Sequence, residues 1–307
     1  MKQKIVTVFG GTGFVGSYIV EELAKTGVSI KVVSRDPERA MPIKTAGTAG
    51  QIVLAQANLH NEASVRRAVE NSEVVINLVG ILFESGKQNF TAVHSQGAEL
   101  LAKAAKEAGV KRFIHMSALG IDKPSQSKYA RTKLTGEKAV HAAFPDATII
   151  RPSVIFGHED NFFNKFAEMA SFSPFLPLIG SGKTKFQPVY VGDIAKAFAK
   201  VVSNPYTAGK TYELGGPDVY TFRELMELML RTIHKKRLLV SVPYSIASLK
   251  AAFLELLPHP LLTRDQVQLL KVDNIVSDRS LTFKDLGITP TALESIIPNY
   301  LERYAAA

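Results

Sequence analysis

The stretch IVTVFGGTGFVGSYIVEELAKTG, residues 5–27, constrains the fold of this chain more than any other segment. A β-branched run leads into three glycines spaced three residues apart, Gly10, Gly13 and Gly16, and a helical pattern begins near Phe14. Glycine permits a tight turn, a close approach of the backbone to a ligand, and close packing of a helix on a strand. The first turn of that helix also presents unpaired N–H groups and the positive end of its dipole. This order of elements predicts a cradle for the diphosphate of a dinucleotide, with a flexible turn as the alternative.

Short apolar runs alternate with helical patterns through the first half of the chain. Apolar strands that alternate with helices form parallel sheets covered on both faces, and their crossovers are right-handed. The predicted fold class is therefore α/β, a doubly wound parallel sheet of the Rossmann type. The predicted strands are 5–9, 30–34, 52–56, 74–78, 112–116 and 148–151, and the predicted helices are 15–25, 63–69, 96–108 and 127–143.

The residues after the second predicted strand bear on the choice of cofactor. An acidic side chain here would accept hydrogen bonds from a free ribose 2′-hydroxyl, whereas a guanidinium suits a 2′-phosphate. The sequence at 31–37 is KVVSRDP, so Ser34 and Arg35 come first and Asp36 follows. A charge-assisted contact is worth about 1.5–3 kcal/mol, and we therefore predict NADP(H) in preference to NAD(H). Asp36 leaves NAD(H) as the alternative.

A second set of residues predicts hydride-transfer chemistry. The fifth predicted strand ends in FIHMSALG with Ser117, and the next helix contains Tyr129 and Lys133 four residues apart, on one face. Bringing the pKa of a tyrosine from about 10 to near neutrality requires about 4 kcal/mol, much of which we expect the Lys133 ammonium to supply. Ser117 would hold the substrate oxygen, Lys133 the ribose, and Tyr129 would act as general acid or base. An ordinary surface pair on a helix is the alternative.

The second half of the chain has a different pattern. The segment 156–183 is rich in Phe, Pro and Ser, and SFSPFLPLIGSG predicts a loop. A strand at 186–190, a helix at 193–202 and a strand at 211–214 follow, and 221–307 is predicted to be mostly helical. We expect a smaller C-terminal lid beside the sheet. The predicted division is 1–155 plus 184–216 for the dinucleotide and 156–183 plus 217–307 for a substrate or partner.

Two apolar groups in the second half have alternative interpretations. Five residues in SIASLKAAFLELL share one helical face; we expect them in a core, with a membrane or protein surface near the basic cluster 235–237 as the alternative. Five aromatic rings either pack in a core or line an apolar pocket over the nicotinamide. The first group is Ile246, Leu249, Phe253, Leu256 and Leu257, and the second is Phe156, Phe162, Phe163, Phe186 and Tyr190.

Composition narrows the classes of function. The 307 residues include no cysteine, which excludes disulfides, thiolate metal sites and a cysteine nucleophile, and we predict no metal. The net charge of +9 suits an anionic partner, with a solvated basic face as the alternative, and no nucleic-acid-binding motif accompanies it. The N-terminus enters a strand directly, and no stretch has the about 18 apolar residues of a spanning helix. We therefore expect a cytoplasmic protein, at most peripheral to a membrane.

Three further motifs accompany the glycine loop, Ser117 and the pair Tyr129 and Lys133: INLVG with Asn77, RPSVIFG from Arg151, and VYVGDIAKA around Asp193. Together these motifs resemble those of the extended short-chain dehydrogenase/reductase superfamily, in its atypical branch. The tail of the chain contains LLTRDQVQLL at 261–270 and DLGITPTALESIIPNYLERY at 285–304. With this tail as the most specific part, the chain more closely resembles, over nearly its whole length, the nucleotide-binding accessory subunits of respiratory complex I and their bacterial relatives.

The resemblance implies a tightly held NADPH, attachment to a membrane complex or to ubiquinone-making proteins, and low turnover. In mitochondrial members the tyrosine–lysine region is only partly kept, whereas this sequence retains Ser117, Tyr129 and Lys133. His94 stands where extended reductases usually have asparagine; it either replaces that hydrogen bond or packs in its helix. The complete set of predicted cofactor contacts is Gly10, Thr12, Gly13, Phe14, Gly16, Ser34, Arg35, Asn58, Leu59, Leu78, Val79, Gly80, Tyr129, Lys133, Pro152 and Ser153.

Three functional hypotheses follow. The first is an NADP(H)-binding, reductase-like protein of the complex I accessory-subunit family that supports structure, assembly or quinone metabolism. It would lie peripherally on the inner face of a respiratory membrane, the cytoplasmic side in a bacterium or the matrix side in a mitochondrion. The second is a soluble NAD(P)-dependent oxidoreductase or epimerase. The third is a regulator that senses NADPH by binding it.

Overall fold

The computed structural model describes residues 4–86, 88–258 and 260–305. The strands of this part of the chain are β1 Ile5–Phe9, β2 Ser29–Ser34, β3 Ile52–Gln56, β4 Val74–Asn77, β5 Arg112–Met116, β6 Thr148–Pro152, β7 Ile155–Phe156, β8 Phe175–Ile179, β9 Lys185–Phe186, β10 Val189–Tyr190, β11 Thr211–Leu214, β12 Tyr220–Thr221 and β13 Leu238–Val242. The α-helices are α1 Phe14–Ala24, α2 Glu62–Val69, α3 Gly97–Glu107, α4 Lys128–Ala143, α5 Phe163–Phe172, α6 Val191–Ser203, α7 Phe222–Thr232, α8 Tyr244–Leu254, α9 Arg264–Leu269 and α10 Pro298–Leu301.

Seven of these strands form one parallel sheet in the order β11-β6-β5-β4-β1-β2-β3. Val6 of β1 lies opposite Ile30 of β2 on one side and Val74 of β4 on the other. The chain leaves β1 towards β2 and β3 and then returns to continue through β4, so the direction of winding reverses between β1 and β4. In open α/β sheets, ligands bind beyond the carboxyl ends of the strands at such a switch point. The predicted doubly wound parallel sheet is confirmed, and its predicted helices begin and end within two residues of the observed bounds.

Helices cover both faces of the sheet. On one face α1 and α6 pack on a core that includes Ile19, Ile194 and Phe198. On the other, α2, α3 and α4 cover a core that includes Leu101 and Phe113. Apolar strands with both faces covered give the near-continuous hydrophobic runs seen in the sequence.

The second half of the chain matches its predicted pattern only in part. α6 and β11 lie where a helix and a strand were predicted, whereas the strand predicted at 186–190 is divided into β9 and β10. Residues 156–183, expected as a loop, form α5 and β8, and β8 pairs in parallel with β13, a strand within the segment expected to be mostly helical. Prolines at 174 and 177 suggested a loop, but β8 has only one neighbouring strand, so Pro177 need not donate a hydrogen bond on its other side. Leu176 and Leu178, on either side of Pro177, are fully buried in the core of this part of the chain.

The five aromatic rings considered for a pocket pack in the core of this smaller part instead. Phe156 and Phe163 are fully buried and meet edge to face at 6.3 Å, and Phe162 packs against Phe186 at 6.2 Å. Edge-to-face rings at such separations are favourable contacts. The core interpretation is therefore correct for this group.

The expectation that one face of α8 is buried is wrong. Ile246, Leu249 and Phe253 of α8 are between 48% and 67% exposed, and Leu256 and Leu257, which follow the helix, are 82% and 48% exposed. The helix packs on α9 through Ala247 and Ala251, which are buried with Val267. Helical spacing identified the face but not the side on which the core lies. No helix among the described residues combines the length and the apolar character that crossing a bilayer requires.

Candidate functional site

The glycine loop between β1 and α1 leaves no room for side chains. Gly10 has φ of +82°, a conformation that favours glycine, and a Cβ at Gly16 would lie 2.2 Å from the carbonyl oxygen of Gly10. Gly13 is the N-cap of α1, and no side chain caps this helix. Thr12 is exposed and Phe14 is half-buried beside the loop. A side-chain-free bend ending in uncapped N–H groups fits a diphosphate.

The end of β2 presents two guanidinium groups and one carboxylate. The carboxylate of Asp36 accepts the backbone N–H of Arg39 at 3.2 Å and forms an ion pair with its guanidinium at 3.2 Å. Ser34 Oγ is bonded to the backbone of Asp36, accepting its N–H at 3.1 Å. Arg35 is exposed, and within the described part of the chain its guanidinium has no ion-pair partner. The acidic alternative at this position is therefore already engaged by a neighbouring cation.

Helix α4 brings the predicted catalytic residues to the carboxyl end of β5. Ser127 is its N-cap and accepts the N–H of Ala130 at 3.1 Å. Lys133, 3% exposed, donates from Nζ to the carbonyl oxygen of Met116 at 3.1 Å, directly before Ser117. Ser117 is also 3% exposed, and its hydroxyl has no hydrogen-bond partner among the residues that the structure describes. A buried, unsatisfied hydroxyl is a site where a ligand oxygen gains a partner.

The ring of Tyr129 is held by two aromatic neighbours. The ring of His94 meets it edge to face at 5.1 Å, and that of Phe90 does so at 5.8 Å. Among the described residues no hydrogen bond is formed by the Tyr129 hydroxyl, which leaves it available to a substrate. These contacts fix where the phenol points.

His94, next to Tyr129, is a neutral imidazole. Burial and the Lys133 charge lower the pKa of His94 to about 3. Its Nε2 accepts the backbone N–H of Ile81 at 3.1 Å, so the proton is on Nδ1, which faces Thr132 Oγ1 at 3.2 Å. His94 lies in a π-helical segment, Thr91–Gln96, a feature that is frequent at functional sites. It thus accepts a hydrogen bond from Ile81 and also packs against Phe90 and Tyr129. That it replaces the hydrogen bond of an asparagine stays a prediction.

Asp265 of α9 contacts the first turn of α4. Its Oδ2 accepts the Ser127 hydroxyl at 2.7 Å and the Tyr129 N–H at 3.2 Å, and its Oδ1 accepts the Lys128 N–H at 2.6 Å. A carboxylate at this position satisfies orphan donors and the helix dipole. Asp265 was not among the predicted site residues, and its only local signal in the sequence is the helix-start pattern Thr263–Gln266 of its own helix.

The pKa values of Tyr129 and Lys133 differ from the expected ones. Burial, together with the Asp265 charge, raises the pKa of Tyr129 to about 12. Burial lowers the pKa of Lys133 to about 8, although Glu137 opposes this. The expected depression of the tyrosine pKa is therefore absent in the protein alone, because desolvation penalises both charges. Tyr129 is a neutral phenol at physiological pH.

Lys133 gives a pH-dependent prediction. A lysine whose folded-state pKa lies below its usual 10.5 destabilises the protein fully below about pH 8, and stability recovers between about 8 and 10.5. The difference between the two pKa values corresponds to about 3 kcal/mol of destabilisation. Replacing Lys133 also removes its hydrogen bond to Met116, which costs about 1 kcal/mol. Lys133→Met is therefore expected to raise the unfolding free energy of the dinucleotide-free protein by about 2 kcal/mol at pH 7. The gain should shrink towards pH 10.5.

Chemical denaturation across this pH range measures the effect. Lys138→Met, at an exposed position on the same helix, is the control and should change little at any pH. A loss of stability in Lys133→Met at pH 7 would show that the lysine is not a desolvated charge.

Asp265→Asn is expected to lower the unfolding free energy by about 1–3 kcal/mol, since an amide cannot accept all three hydrogen bonds. Amide hydrogen exchange at Lys128 and Tyr129 should accelerate, because the first turn of α4 loses its carboxylate cap. Asp278→Asn, exposed on the same part of the chain, is the control. Unchanged exchange at these two amides would contradict the capping role.

The predicted contacts after β4 lie beside the glycine loop. A Cβ at Gly10 would be 3.2 Å from the carbonyl carbon of Leu78 and 3.3 Å from the nitrogen of Val79. A Cβ at Gly80 would lie 3.4 Å from Nζ of Lys133. The structure thus brings the loop, the end of β4 and the buried lysine into one crevice.

The other predicted contacts lie at or just after the ends of the strands β3 and β6. Asn58 and Leu59 follow β3, at the far side of the sheet, with Asn58 exposed and Leu59 half-buried. Pro152 ends β6, and Ser153 next to it donates its hydroxyl to Oδ1 of Asn274 at 2.6 Å. Asn274 was not among the predicted site residues. It already accepts the hydrogen bond of the Ser153 hydroxyl, a group predicted to contact the cofactor. In residues 4–86, 88–258 and 260–305, no group of His, Asp and Glu side chains is arranged to hold a metal ion.

Known proteins resemble this chain in sequence over most of its length. Residues 6–215 match the NAD dependent epimerase/dehydratase family. The chain is 39% identical to NADH dehydrogenase [ubiquinone] 1 alpha subcomplex subunit 9, mitochondrial, of Arabidopsis thaliana, over 98% of this chain and 78% of that protein. It is 35% identical to the NADH-ubiquinone oxidoreductase 40 kDa subunit, mitochondrial, of Neurospora crassa, over 97% of this chain and 79% of that protein.

The fold also matches a solved reductase structure. The NADPH-dependent quinone oxidoreductase QOR2 from Escherichia coli, in complex with NADPH, superposes with a TM-score of 0.76. That match covers 96% of this chain and 99% of the other at 24% identity, so it shows a shared fold alone.

Proposed function

The chain belongs to the NAD dependent epimerase/dehydratase family and to the family of complex I alpha subcomplex subunit 9 proteins, and we propose that it is an NADP(H)-binding, reductase-type accessory protein of a respiratory complex I. It supports the structure or assembly of that complex, or ubiquinone metabolism, with low or specialised turnover. Its position is peripheral, on the inner face of the respiratory membrane. The observation that carries the proposal is the side-chain-free loop at Gly10 and Gly16, which adjoins a crevice containing the buried Lys133.

The chain's own residues would hold NADP(H) along this crevice. The loop from Gly10 to Gly16 receives the diphosphate, Arg35 the 2′-phosphate, and Lys133 the ribose next to the nicotinamide. Bound NADPH supplies a hydride. The Ser117 hydroxyl orients the acceptor oxygen, and the Tyr129 phenol donates a proton to it. Because burial raises the pKa of Tyr129, the phenol carries at neutral pH the proton that reduction of a carbonyl or quinone-like oxygen requires.

The preference for NADP(H) rests on Arg35, because Asp36 is paired with Arg39. Arg35→Ala is expected to weaken NADPH binding about 10- to 100-fold and to leave NADH binding unchanged, since only the 2′-phosphate loses a charge-assisted contact. Calorimetric titration with both nucleotides measures this, with Arg131→Ala, exposed on α4, as the control. Equal loss for NADPH and NADH would assign Arg35 a structural role instead.

A soluble NAD(P)-dependent oxidoreductase or epimerase is the second candidate, and the presence of all three of Ser117, Tyr129 and Lys133 favours it. Native electrophoresis of membranes separates the two. The first proposal predicts that the chain migrates with the NADH dehydrogenase activity of the complex. A chain found wholly in the soluble fraction, with rapid turnover of a small carbonyl, would favour the second.

A further inference from the structure

The helix α8 presents its large side chains to solvent and its small ones to the protein. Ala247 and Ala251 face the core, whereas Ile246, Leu249 and Phe253 are 48%, 63% and 67% exposed. A surface helix of a globular protein normally has the opposite arrangement. We use the name apolar face for Ile246, Leu249 and Phe253 of α8 together with Leu256 and Leu257, which follow directly after the helix. Contiguous exposed apolar residues of this kind mark interaction sites.

A second exposed apolar group adjoins this helix along the chain. Phe175 of β8 and Leu238 of β13 are paired in register and are 53% and 62% exposed, and Phe172 is 86% exposed. β13 leads through Pro243 directly into α8. The protein thus exposes large apolar side chains on two consecutive elements.

Basic residues lie next to both apolar groups along the chain. Arg237 donates from Nε to the carbonyl oxygen of Ala170 at 2.7 Å, which places it close to Phe172, and Lys236 beside it is exposed. Lys250 follows Ile246 by four residues and precedes Phe253 by three, so it lies on the same face of α8. Residues 235–257 contain four basic side chains and one acidic side chain. That acid, Glu255, is paired with Arg264 at 2.9 Å.

We propose that the apolar face of α8 and the adjoining cations bind an anionic phospholipid bilayer, with α8 lying in the plane of the interface. The inference rests on the proposed peripheral position and specifies its surface and its ligand. Apolar side chains enter the acyl region while lysine and arginine extend their charges to the headgroups. The cations interleaved with the apolar residues favour a bilayer over a protein groove, because a bilayer places negative charge directly above hydrocarbon.

Vesicle co-sedimentation of the full chain tests this proposal. Binding is expected to vesicles that contain phosphatidylglycerol and to be at least tenfold weaker to phosphatidylcholine alone and at high salt. The double variant Leu249→Ser and Phe253→Ser should lose binding about 100-fold. Lys236→Glu should lose about fivefold or more. Tyr206→Ser, an 82% exposed aromatic elsewhere, and Lys111→Glu are the matched controls and should bind as the parent does.

Several outcomes would overturn the proposal. Absence of vesicle binding by the parent chain would do so, as would equal binding to both vesicle types or retained binding in the double variant. A dimer in solution that the double variant converts to a monomer would assign the face to a second copy of the chain. If the double variant lost a contact with another protein but still bound vesicles, the apolar face would be a protein-binding site. NADPH titration of each variant separates this from the proposed function, since the variants lie outside the crevice and should bind NADPH normally.

Discussion

Gly16→Ala is expected to abolish dinucleotide binding. The added Cβ would lie 2.2 Å from the Gly10 carbonyl oxygen and 2.7 Å from Gly11 Cα, both backbone atoms that cannot rotate away. The loop must shift, and a loss of two charge-assisted contacts to the diphosphate, about 3–6 kcal/mol, weakens binding at least about 100-fold. The strain also lowers the unfolding free energy by about 1–3 kcal/mol. Calorimetric titration with NADPH and thermal unfolding measure the two effects.

Gly13→Ala is the matched control for this variant. It adds the same methyl group three residues earlier, where the nearest atom is 3.5 Å away, an ordinary contact. The unfolding free energy of the dinucleotide-free protein should therefore change by less than about 0.5 kcal/mol. If Gly16→Ala bound NADPH as tightly as the parent, the loop would not be the diphosphate site.

Tyr129→Phe is expected to lower any NADPH-dependent reduction by about 100- to 10,000-fold, the range contributed by a positioned general acid. NADPH affinity should stay within about twofold, because the phenylalanine ring retains the packing against His94 and Phe90. Single-turnover oxidation of bound NADPH by a short-chain quinone measures the rate. A fall in rate with unchanged affinity is the signature of a residue that acts only in the chemical step.

The control for this prediction is Tyr206→Phe, which removes a hydroxyl from a highly exposed tyrosine far along the chain. It should leave both rate and affinity unchanged. Retained turnover in Tyr129→Phe would mean that another group supplies the proton and that Tyr129 has a packing role.

Local sequence patterns were sufficient to predict the strands and helices of the seven-stranded sheet. The run Ile5–Phe9, the glycines after it and the alternating strands and helices each specify their element through nearby residues, so the parallel sheet and its switch point follow from the sequence. The same patterns place Ser117 at the end of β5 and Lys133 on the next helix. The structure brings both to one crevice, where Lys133 contacts the carbonyl oxygen that precedes Ser117.

Long-range contacts account for what the sequence did not reveal. Asp265 reaches Tyr129 across 136 residues, and no spacing rule relates the two. The raised pKa of Tyr129 depends on that carboxylate and on burial, both of which arise only in the folded chain. The outward face of α8 has the same origin, because periodicity defines a stripe and tertiary packing decides which side is covered.

Identification of the nucleotide released when the purified protein is denatured is the sharpest test of dinucleotide binding. We expect NADPH or its oxidised form in amounts equimolar with the chain, and heat on returning NADPH to the stripped protein. No pyridine dinucleotide in the supernatant, together with no heat for either NADPH or NADH, would contradict it.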